Sequence, residues 1–157
     1  MYCKLIKKSI FMIGVLLLSA CTTVKYQNTI TINAQDNIVF SILEDYENYP
    51  NIIPEFHSAV EIISENRTGF GVRFNNVSIW GSYKIKSTYE VIEYRINDYI
   101  KLKNLSQFGS TELIVRKLEE NTTEYTLINY AKIPFYMKKQ LFESFDKELE
   151  IIKRLFE

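Results

Sequence analysis

The amino-acid sequence predicts an α+β domain built from an antiparallel sheet and one long C-terminal helix. Between residues 58 and 133, segments rich in Ile, Val, Thr, Tyr or Phe alternate with short turns, which is typical of antiparallel hairpins. From residue 134 onward, apolar residues recur at helical spacing along one face. With 46% hydrophobic and 14% aromatic residues, the chain can bury the core of a single domain.

The first 20 residues have the organisation of a secretory signal. Lysines precede an apolar run over 10–18, and the small residues Ser19 and Ala20 follow it. The run is shorter than the roughly 18 to 20 residues that cross a membrane, so a transmembrane helix is not expected. Leu18-Ser19-Ala20-Cys21 resembles the bacterial lipobox, whose cysteine is acylated and becomes the first residue after cleavage. We therefore predict a signal peptide over 1–20 and a lipid on Cys21, with an ordinary cleaved signal as the alternative.

A lipid on Cys21 also accounts for the cysteine content. The chain has 2 cysteines, and Cys3 would leave with the signal, so Cys21 would otherwise remain a free thiol. In Gram-negative lipoproteins, which this N-terminus resembles, Asp after the lipidated cysteine retains the protein at the inner membrane. Thr22 therefore predicts delivery to the outer membrane or cell envelope, on the periplasmic side. The lipobox resemblance implies an exported lipoprotein whose lipid includes palmitate. Residues 21–25 are predicted to be a lipidated tether that precedes a domain over 26–157.

The domain is expected to begin with a strand and an amphipathic helix. Alternating residues over 26–32 predict the strand. Asn33 is the predicted N-cap of the helix, whose apolar face carries Val39, Phe40, Leu43 and Tyr46. The two prolines within 49–54 restrict the residues before them, so this segment is predicted to be a turn with one short helical piece.

Six further strands and a final helix complete the predicted order. The strands are expected over 58–65, 69–78, 83–94, 99–105, 110–118 and 123–133. Pro134 suits the first turn of the last helix. About 22 residues at a rise of about 1.5 Å would let this helix lie across the whole sheet. Its apolar stripe consists of Phe135, Leu141, Phe142, Phe145, Leu149, Ile152 and Phe156.

Residues 30–54 resemble the opening of START-like proteins of the polyketide cyclase and coenzyme-Q-binding superfamily (SRPBCC). Asp45, Tyr49, Pro50 and Pro54 carry most of this likeness, and the order of elements extends it over residues 26–157. Residues 55–57 and 107–109 depart from the coenzyme-Q-binding branch, so the resemblance is to the superfamily only. It implies a helix-grip fold, in which a curved antiparallel sheet of about six to seven strands wraps around the long helix. It also implies a cavity between them for an apolar or amphipathic small molecule.

The residue content argues against several kinds of site. His57 is the only histidine, and it is expected at the surface or at a strand edge. With Cys21 assigned to the lipid, no nucleophilic triad and no zinc-ligand cluster can be assembled. Residues 21–157 carry a net charge of −3, without a basic patch for nucleic acid, because the first 20 residues hold three lysines and no acid. No catalytic residue, metal or cofactor is predicted.

Candidate pocket residues follow from the two-residue period of the strands. On each predicted strand one parity is mostly apolar, and it includes three polar residues among aromatic ones. The inward set, with two residues from the last helix, is Phe74, Asn76, Tyr83, Ser87, Tyr89, Asn129, Phe142 and Phe145. Two interpretations stay open for these residues. The polar ones contact a ligand or satisfy one another and water, and the aromatic ones line a site or fill the core.

These patterns favour a membrane-anchored lipoprotein whose domain binds a hydrophobic or amphiphilic small molecule, such as a lipid or a quinone, without catalysis. One alternative is an enzyme of the polyketide cyclase or dehydratase type, in which tyrosines and a cavity Asn or Ser position the substrate. Another is a protein-interaction module with a filled core. The sequence leaves the identity of the ligand and the oligomeric state open.

Overall fold

The computed structural model describes residues 21–80 and 83–157, with the backbone alone described at Trp80 and Tyr83. The predicted signal peptide over 1–20 lies outside the described residues. Within them, one antiparallel sheet has the strand order β1-β7-β6-β5-β4-β3-β2. The strands are β1 (Cys21–Ile32), β2 (His57–Ile62), β3 (Arg73–Trp80), β4 (Tyr83–Arg95), β5 (Tyr99–Asn104), β6 (Gly109–Glu119) and β7 (Thr122–Pro134). The predicted meander is therefore confirmed, and β1 and β2 are its edges.

Three α-helices and two 3-10 turns complete the described chain. They are α1 (Asp36–Glu44), a 3-10 turn (Tyr46–Asn48), α2 (Tyr49–Ile52), a second 3-10 turn (Phe135–Met137) and α3 (Lys138–Arg154). Gln35, with an extended backbone, occupies the N-cap position of α1, so the prediction of Asn33 was wrong. The Thr123 hydroxyl donates a hydrogen bond of 2.7 Å to the Ala34 carbonyl, and this contact ties the bend after β1 to the sheet. The helix consequently begins at Asp36, two residues later than an N-cap at Asn33 would place its start.

β1 is longer than predicted, and the predicted tether over 21–25 is part of it. The strand pairs with β7 from Cys21 opposite Pro134 to Ile32 opposite Thr123. Val24 and Tyr26 are buried while their neighbours are exposed, which is the alternation of a half-buried strand. Because β7 extends to Pro134, it supplies hydrogen-bonding partners for Cys21 and the residues after it. Cys21 is therefore itself part of the sheet, and no tether separates the two.

The sheet curves around α3, and the core lies between the sheet and the helices. Leu141, Leu149 and Ile152 are the buried residues of α3. The carboxylate of Asp146 anchors the helix to β1, because it accepts hydrogen bonds from Tyr26 Oη at 2.7 Å and from Asn28 Nδ2 at 2.9 Å. The architecture is the helix-grip arrangement that the sequence predicted. In the chain from Cys21 onward, as far as it is described, no helix combines the length and apolarity that crossing a membrane requires.

Candidate functional site

A cavity of about 340 Å³ lies between the sheet and α3. Most of its wall is apolar, and the aliphatic part includes Leu43, Ile53, Leu113, Leu127, Leu141 and Ile152. Ligand pockets in proteins range from roughly 300 to 1,000 Å³. A water molecule takes about 30 Å³ in the liquid, so the space could hold on the order of ten waters or one small organic molecule. The predicted cavity between sheet and helix is therefore present.

The cavity opens at the end of the sheet where β1 begins. Its exposed lining residues are Gln107 and Phe108 in the turn before β6, and Lys132 near the end of β7. Gly109 lies at this rim, and a larger residue there would clash with the backbone, because a Cβ atom would lie 2.7 Å from the Tyr130 carbonyl oxygen. Cys21 pairs with Pro134, which also lines the cavity. The opening and the first residue of β1 are thus neighbours.

Six of the eight predicted pocket residues line the cavity: Phe74, Asn76, Ser87, Tyr89, Asn129 and Phe145. They meet because β3 and β4 place Asn76 opposite Ser87 and Phe74 opposite Tyr89. Phe74 stacks between two tyrosines, with ring centroids 4.6 Å from Tyr46 and 5.5 Å from Tyr89. The inward parity of these strands was predicted, and Phe74 and Tyr89 form part of the cavity wall at β3 and β4.

The other two predicted residues have different outcomes. Phe142 does not line the cavity, so its place in the predicted set was wrong. Its ring contacts Tyr26 edge-on, with centroids 5.3 Å apart. It lies about 100° around the helix from Leu141, whose side chain does face the cavity. Tyr83 lies outside the described side chains.

His57 faces the cavity, which the sequence analysis did not predict. It begins the edge strand β2, as expected of a strand-edge residue, but its ring lines the cavity and is not a surface group. The ring packs 5.2 Å from Tyr49, and Nδ1 lies 3.0 Å from Asn76 Oδ1. Burial lowers the pKa of His57 below its ordinary value of 6.5. The ring is therefore neutral at pH 7.

A hydrogen-bond chain fixes the tautomer of His57. Asn76 Nδ2 donates to Ser78 Oγ at 3.0 Å, so Asn76 Oδ1 is left as the acceptor. His57 Nδ1 consequently donates to Asn76 Oδ1 at 3.0 Å, and Nε2 keeps its lone pair. The arrangement places one hydrogen-bond acceptor with an oriented lone pair on the edge-strand side of the cavity. Asn129 Nδ2 similarly donates to Thr111 Oγ1 at 2.8 Å, so this predicted polar residue is satisfied within the protein.

Glu148 is the acidic residue of the cavity wall, and sequence reasoning missed it. It lies on α3 between Phe145 and Ile152, which line the same wall. Its side chain is half-buried because the cavity itself reaches it. Burial raises the pKa of the Glu148 carboxyl from 4.5 to about 7. The spacing 141, 145, 148 and 152 is the signal that could have found it, because an acid there interrupts one apolar helix face.

Tyrosines surround this carboxylate. Burial raises the pKa of Tyr49, Tyr89 and Tyr125, and the charge of Glu148 adds to the effect in each case. Tyr49 Oη donates to the Leu43 carbonyl at 2.6 Å. The site therefore combines apolar walls, neutral aromatic hydroxyls, a neutral histidine and one carboxyl that titrates near neutral pH. Among the described residues, no group of three or more His, Cys, Asp or Glu side chains could hold a metal ion.

Comparison with known proteins identifies the fold but not a family. No protein-family model matches the chain, and no curated protein matches it. Solved structures do match. A START superfamily protein from Mycobacterium smegmatis has a TM-score of 0.74 at 14% identity, over 84% of this chain and 96% of that one. An aromatase/cyclase from a Streptomyces species has a TM-score of 0.71 at 15% identity, over 83% and 92%.

Norcoclaurine synthase from Thalictrum flavum, in complex with dopamine and hydroxybenzaldehyde, also matches. Its TM-score is 0.63 at 11% identity, over 90% of this chain and 91% of that one. These identities are low, so the likeness shows the helix-grip fold of START-like proteins and nothing finer. The predicted fold class is confirmed, and the neighbours include an aromatase/cyclase, a synthase and a protein named only by its superfamily.

Proposed function

We propose that this domain binds a hydrophobic or amphiphilic small molecule between the sheet and α3 without transforming it. The observation that carries the proposal is the cavity of about 340 Å³ with its mostly apolar wall. An apolar pocket with a few convergent polar groups is the usual form of a small-molecule site. The structural neighbour that contains dopamine and hydroxybenzaldehyde supports the use of this fold for small ligands. A filled core, which the interaction-module hypothesis requires, does not fit a cavity of this size.

Titration with straight-chain alkanols tests the proposal. Each added methylene should strengthen binding by up to about 0.8 kcal/mol until the cavity is full. Ser87→Leu should abolish binding, because the buried Ser87 side chain points into the cavity. Lys86→Leu is the matched control, since the exposed Lys86 precedes it on the same strand and faces the other side of the sheet. Affinity that is absent in a folded protein, or unchanged in Ser87→Leu, would contradict the proposal.

We also propose that Cys21 carries the lipid that anchors the domain to the outer membrane or cell envelope. Cys21 is a free, exposed cysteine at the start of β1. Because it is already part of the sheet, an acyl group there would hold the domain directly against the bilayer. Phe135 and Tyr136, which follow its partner Pro134, are each 59% exposed. Aromatic side chains suit the interfacial region of a bilayer, so this end of the domain is the one expected to face lipid.

The anchor proposal has its own test. Cys21→Ser should leave an unprocessed precursor without covalent lipid, because acylation needs the thiolate. Lipid analysis by mass spectrometry and the size of the product on a gel would report both steps. Normal acylation and processing of the variant would show that Cys21 is not the lipid site. The variant should keep the fold, since the side chain of Cys21 is exposed.

An acid–base enzyme of the cyclase or dehydratase type is the second candidate function. The observation that favours it is the pairing of a neutral His57, with an available Nε2, and a Glu148 carboxyl whose pKa is about 7 in one cavity. A general acid or base works best when its pKa lies near the operating pH. Mass spectrometry of the bound molecule after prolonged incubation separates the two functions. A carrier returns its ligand unchanged, whereas an enzyme returns a product of different mass or connectivity.

A further inference from the structure

Glu148 is a charged group without a counter-ion in the cavity. Among the cavity-lining residues of the described chain, only Glu148 is acidic, and the basic ones are His57, which burial keeps neutral, and Lys132, which is exposed at the rim. Burial is the cause of the raised pKa of Glu148, and no hydrogen-bond donor or cation of the described residues offsets it. An ionised carboxylate in this position has neither a neutralising charge nor a hydrogen bond from the described residues.

The groups that face Glu148 from the packed elements are neutral near pH 7. They are Tyr26 on β1, Tyr49 on α2, Tyr89 on β4 and Tyr125 on β7, and each has a raised pKa. His57 on β2 is kept neutral by burial. On the same helix as Glu148, Asp146 is acidic and already accepts hydrogen bonds from Tyr26 and Asn28. Among the described residues around the cavity, none supplies the cation that the carboxylate lacks.

We infer that the cavity selects amphiphiles with a basic nitrogen, whose ammonium group pairs with Glu148 while the hydrocarbon part packs against the apolar wall. This inference rests on the proposed ligand-binding function. An ammonium group supplies both the missing charge and three donors, and charge-assisted hydrogen bonds are stronger than neutral ones. An alcohol of the same chain length supplies one donor and no charge. A fatty acid brings a second carboxylate beside the first, which is repulsive.

The pairing makes binding dependent on pH in a defined direction. Glu148 is ionised above about pH 7 and protonated below it, because burial holds its pKa at about 7. An ammonium ligand pairs with the ionised form, so its affinity is full at pH 8 and falls as the pH drops. For a pKa of about 7, the apparent affinity should fall by roughly 30-fold between pH 8 and pH 5.5. The affinity for an alcohol should not fall over this range.

Equilibrium dialysis of the purified full-length protein against decylamine, decanol and decanoate tests the inference. The bound ligand is quantified by mass spectrometry, and uptake by the Ser87→Leu variant is subtracted as binding outside the cavity. Decylamine should bind at least about tenfold more tightly than decanol at pH 8, and decanoate should bind more weakly than decanol. Glu148→Gln should remove this order and the pH dependence. Glu150→Gln, at an exposed position of the same helix, should retain both.

The outcomes separate the two proposals. Equal affinities for decylamine and decanol at pH 8, or a preference that survives in Glu148→Gln, would overturn the amine selectivity while ligand binding stands. Cavity-dependent binding of none of the three ligands by a folded protein would overturn the proposed function, and the selectivity with it. Circular dichroism of each variant establishes that the fold is retained. Glutamine has the shape of the protonated glutamic acid, so Glu148→Gln should fold.

Discussion

Glu148→Gln should stabilise the domain at alkaline pH and leave its stability nearly unchanged in acid. The carboxyl has a pKa of about 7 in the folded protein and 4.5 without burial, so the folded state holds its proton more tightly. Its contribution to stability is fully present below pH 4.5 and is lost as the pH rises through 7. Each pH unit between the two values corresponds to about 1.4 kcal/mol, which gives a loss of about 3 kcal/mol at pH 8. Against a total stability of roughly 5 to 15 kcal/mol, the effect is large.

The titration of His57 changes the stability in the opposite direction, so its effect must be separated from that of Glu148. Burial lowers the pKa of His57 below 6.5, so its contribution grows as the pH rises towards that value. Both proteins contain His57, and its effect therefore cancels in the difference between Glu148→Gln and wild type. Urea unfolding, followed by circular dichroism at several values between pH 5 and pH 8, gives the free energy of unfolding of each protein. The advantage of the variant should grow by about 2 to 3 kcal/mol over this range.

Two results would refute the reasoning about Glu148. A difference in stability that does not change with pH would mean that the carboxyl is not desolvated. An advantage that grows towards acid pH would mean that a cation or a donor holds the ionised form. Glu150→Gln is the matched control, because Glu150 is exposed on the same helix and should change stability by less than about 0.5 kcal/mol at every pH.

Three further changes test the packing. Phe145→Ala should lower the free energy of unfolding by about 2 kcal/mol, as measured by urea unfolding. This is less than the roughly 3 to 5 kcal/mol typical of a fully buried phenylalanine, because Phe145 is half-buried and already borders the cavity. An unchanged free energy of unfolding would place the ring in solvent. Tyr46→Phe should raise the melting temperature, because the Tyr46 hydroxyl is buried without a hydrogen-bond partner among the described residues. Removing this hydroxyl should stabilise the protein by about 1 kcal/mol. A lower melting temperature would indicate an ordered water at that hydroxyl. Asp146→Ala should lower the free energy of unfolding by about 1.5 to 3 kcal/mol, because the hydrogen bonds from Tyr26 and Asn28 are lost. Asp146→Asn should lower it less. Equal stability of the wild type and both variants would show that α3 does not depend on this contact.

The sheet and the last helix could be predicted because their residues repeat with a clear period. In β4 the two-residue alternation places Ser87 and Tyr89 on the cavity side. The ends of elements were harder to predict, because they depend on partners distant in sequence. β1 extends back to Cys21 only because β7 continues to Pro134. Polar residues such as Thr22 and Lys25 do not indicate a strand by themselves. Because residues 21–25 were expected to be a tether, the alternation of Val24 and Tyr26 with polar neighbours was not assigned to the strand from Cys21 onward.

The candidate site was predicted well where it is apolar and was missed where it is titratable. Aromatic and aliphatic residues on an inward parity reach the cavity because burial of apolar surface determines their side. A single histidine at a strand edge carries no such signal, and an acid is marked only by its place within an apolar helix face, since most charged residues are solvated. Glu148 and His57 acquire their properties from burial, which raises the pKa of Glu148 and lowers that of His57. Those effects exist only after β2, α2 and α3 have met around the cavity.

Glu148 therefore breaks a local rule that the rest of its helix face follows. At position 148 a leucine would extend the stripe formed by Leu141, Phe145 and Ile152 and would avoid the burial of a carboxylate. The cost of about 3 kcal/mol at pH 8 is not offset by any described protein partner, which is the pattern expected where a residue serves a ligand and not the fold. A bound ammonium group would remove that cost, so such a ligand should stabilise the protein more at pH 8 than at pH 5.5. The same carboxyl thus links stability, ligand choice and pH in one cavity that opens beside Cys21.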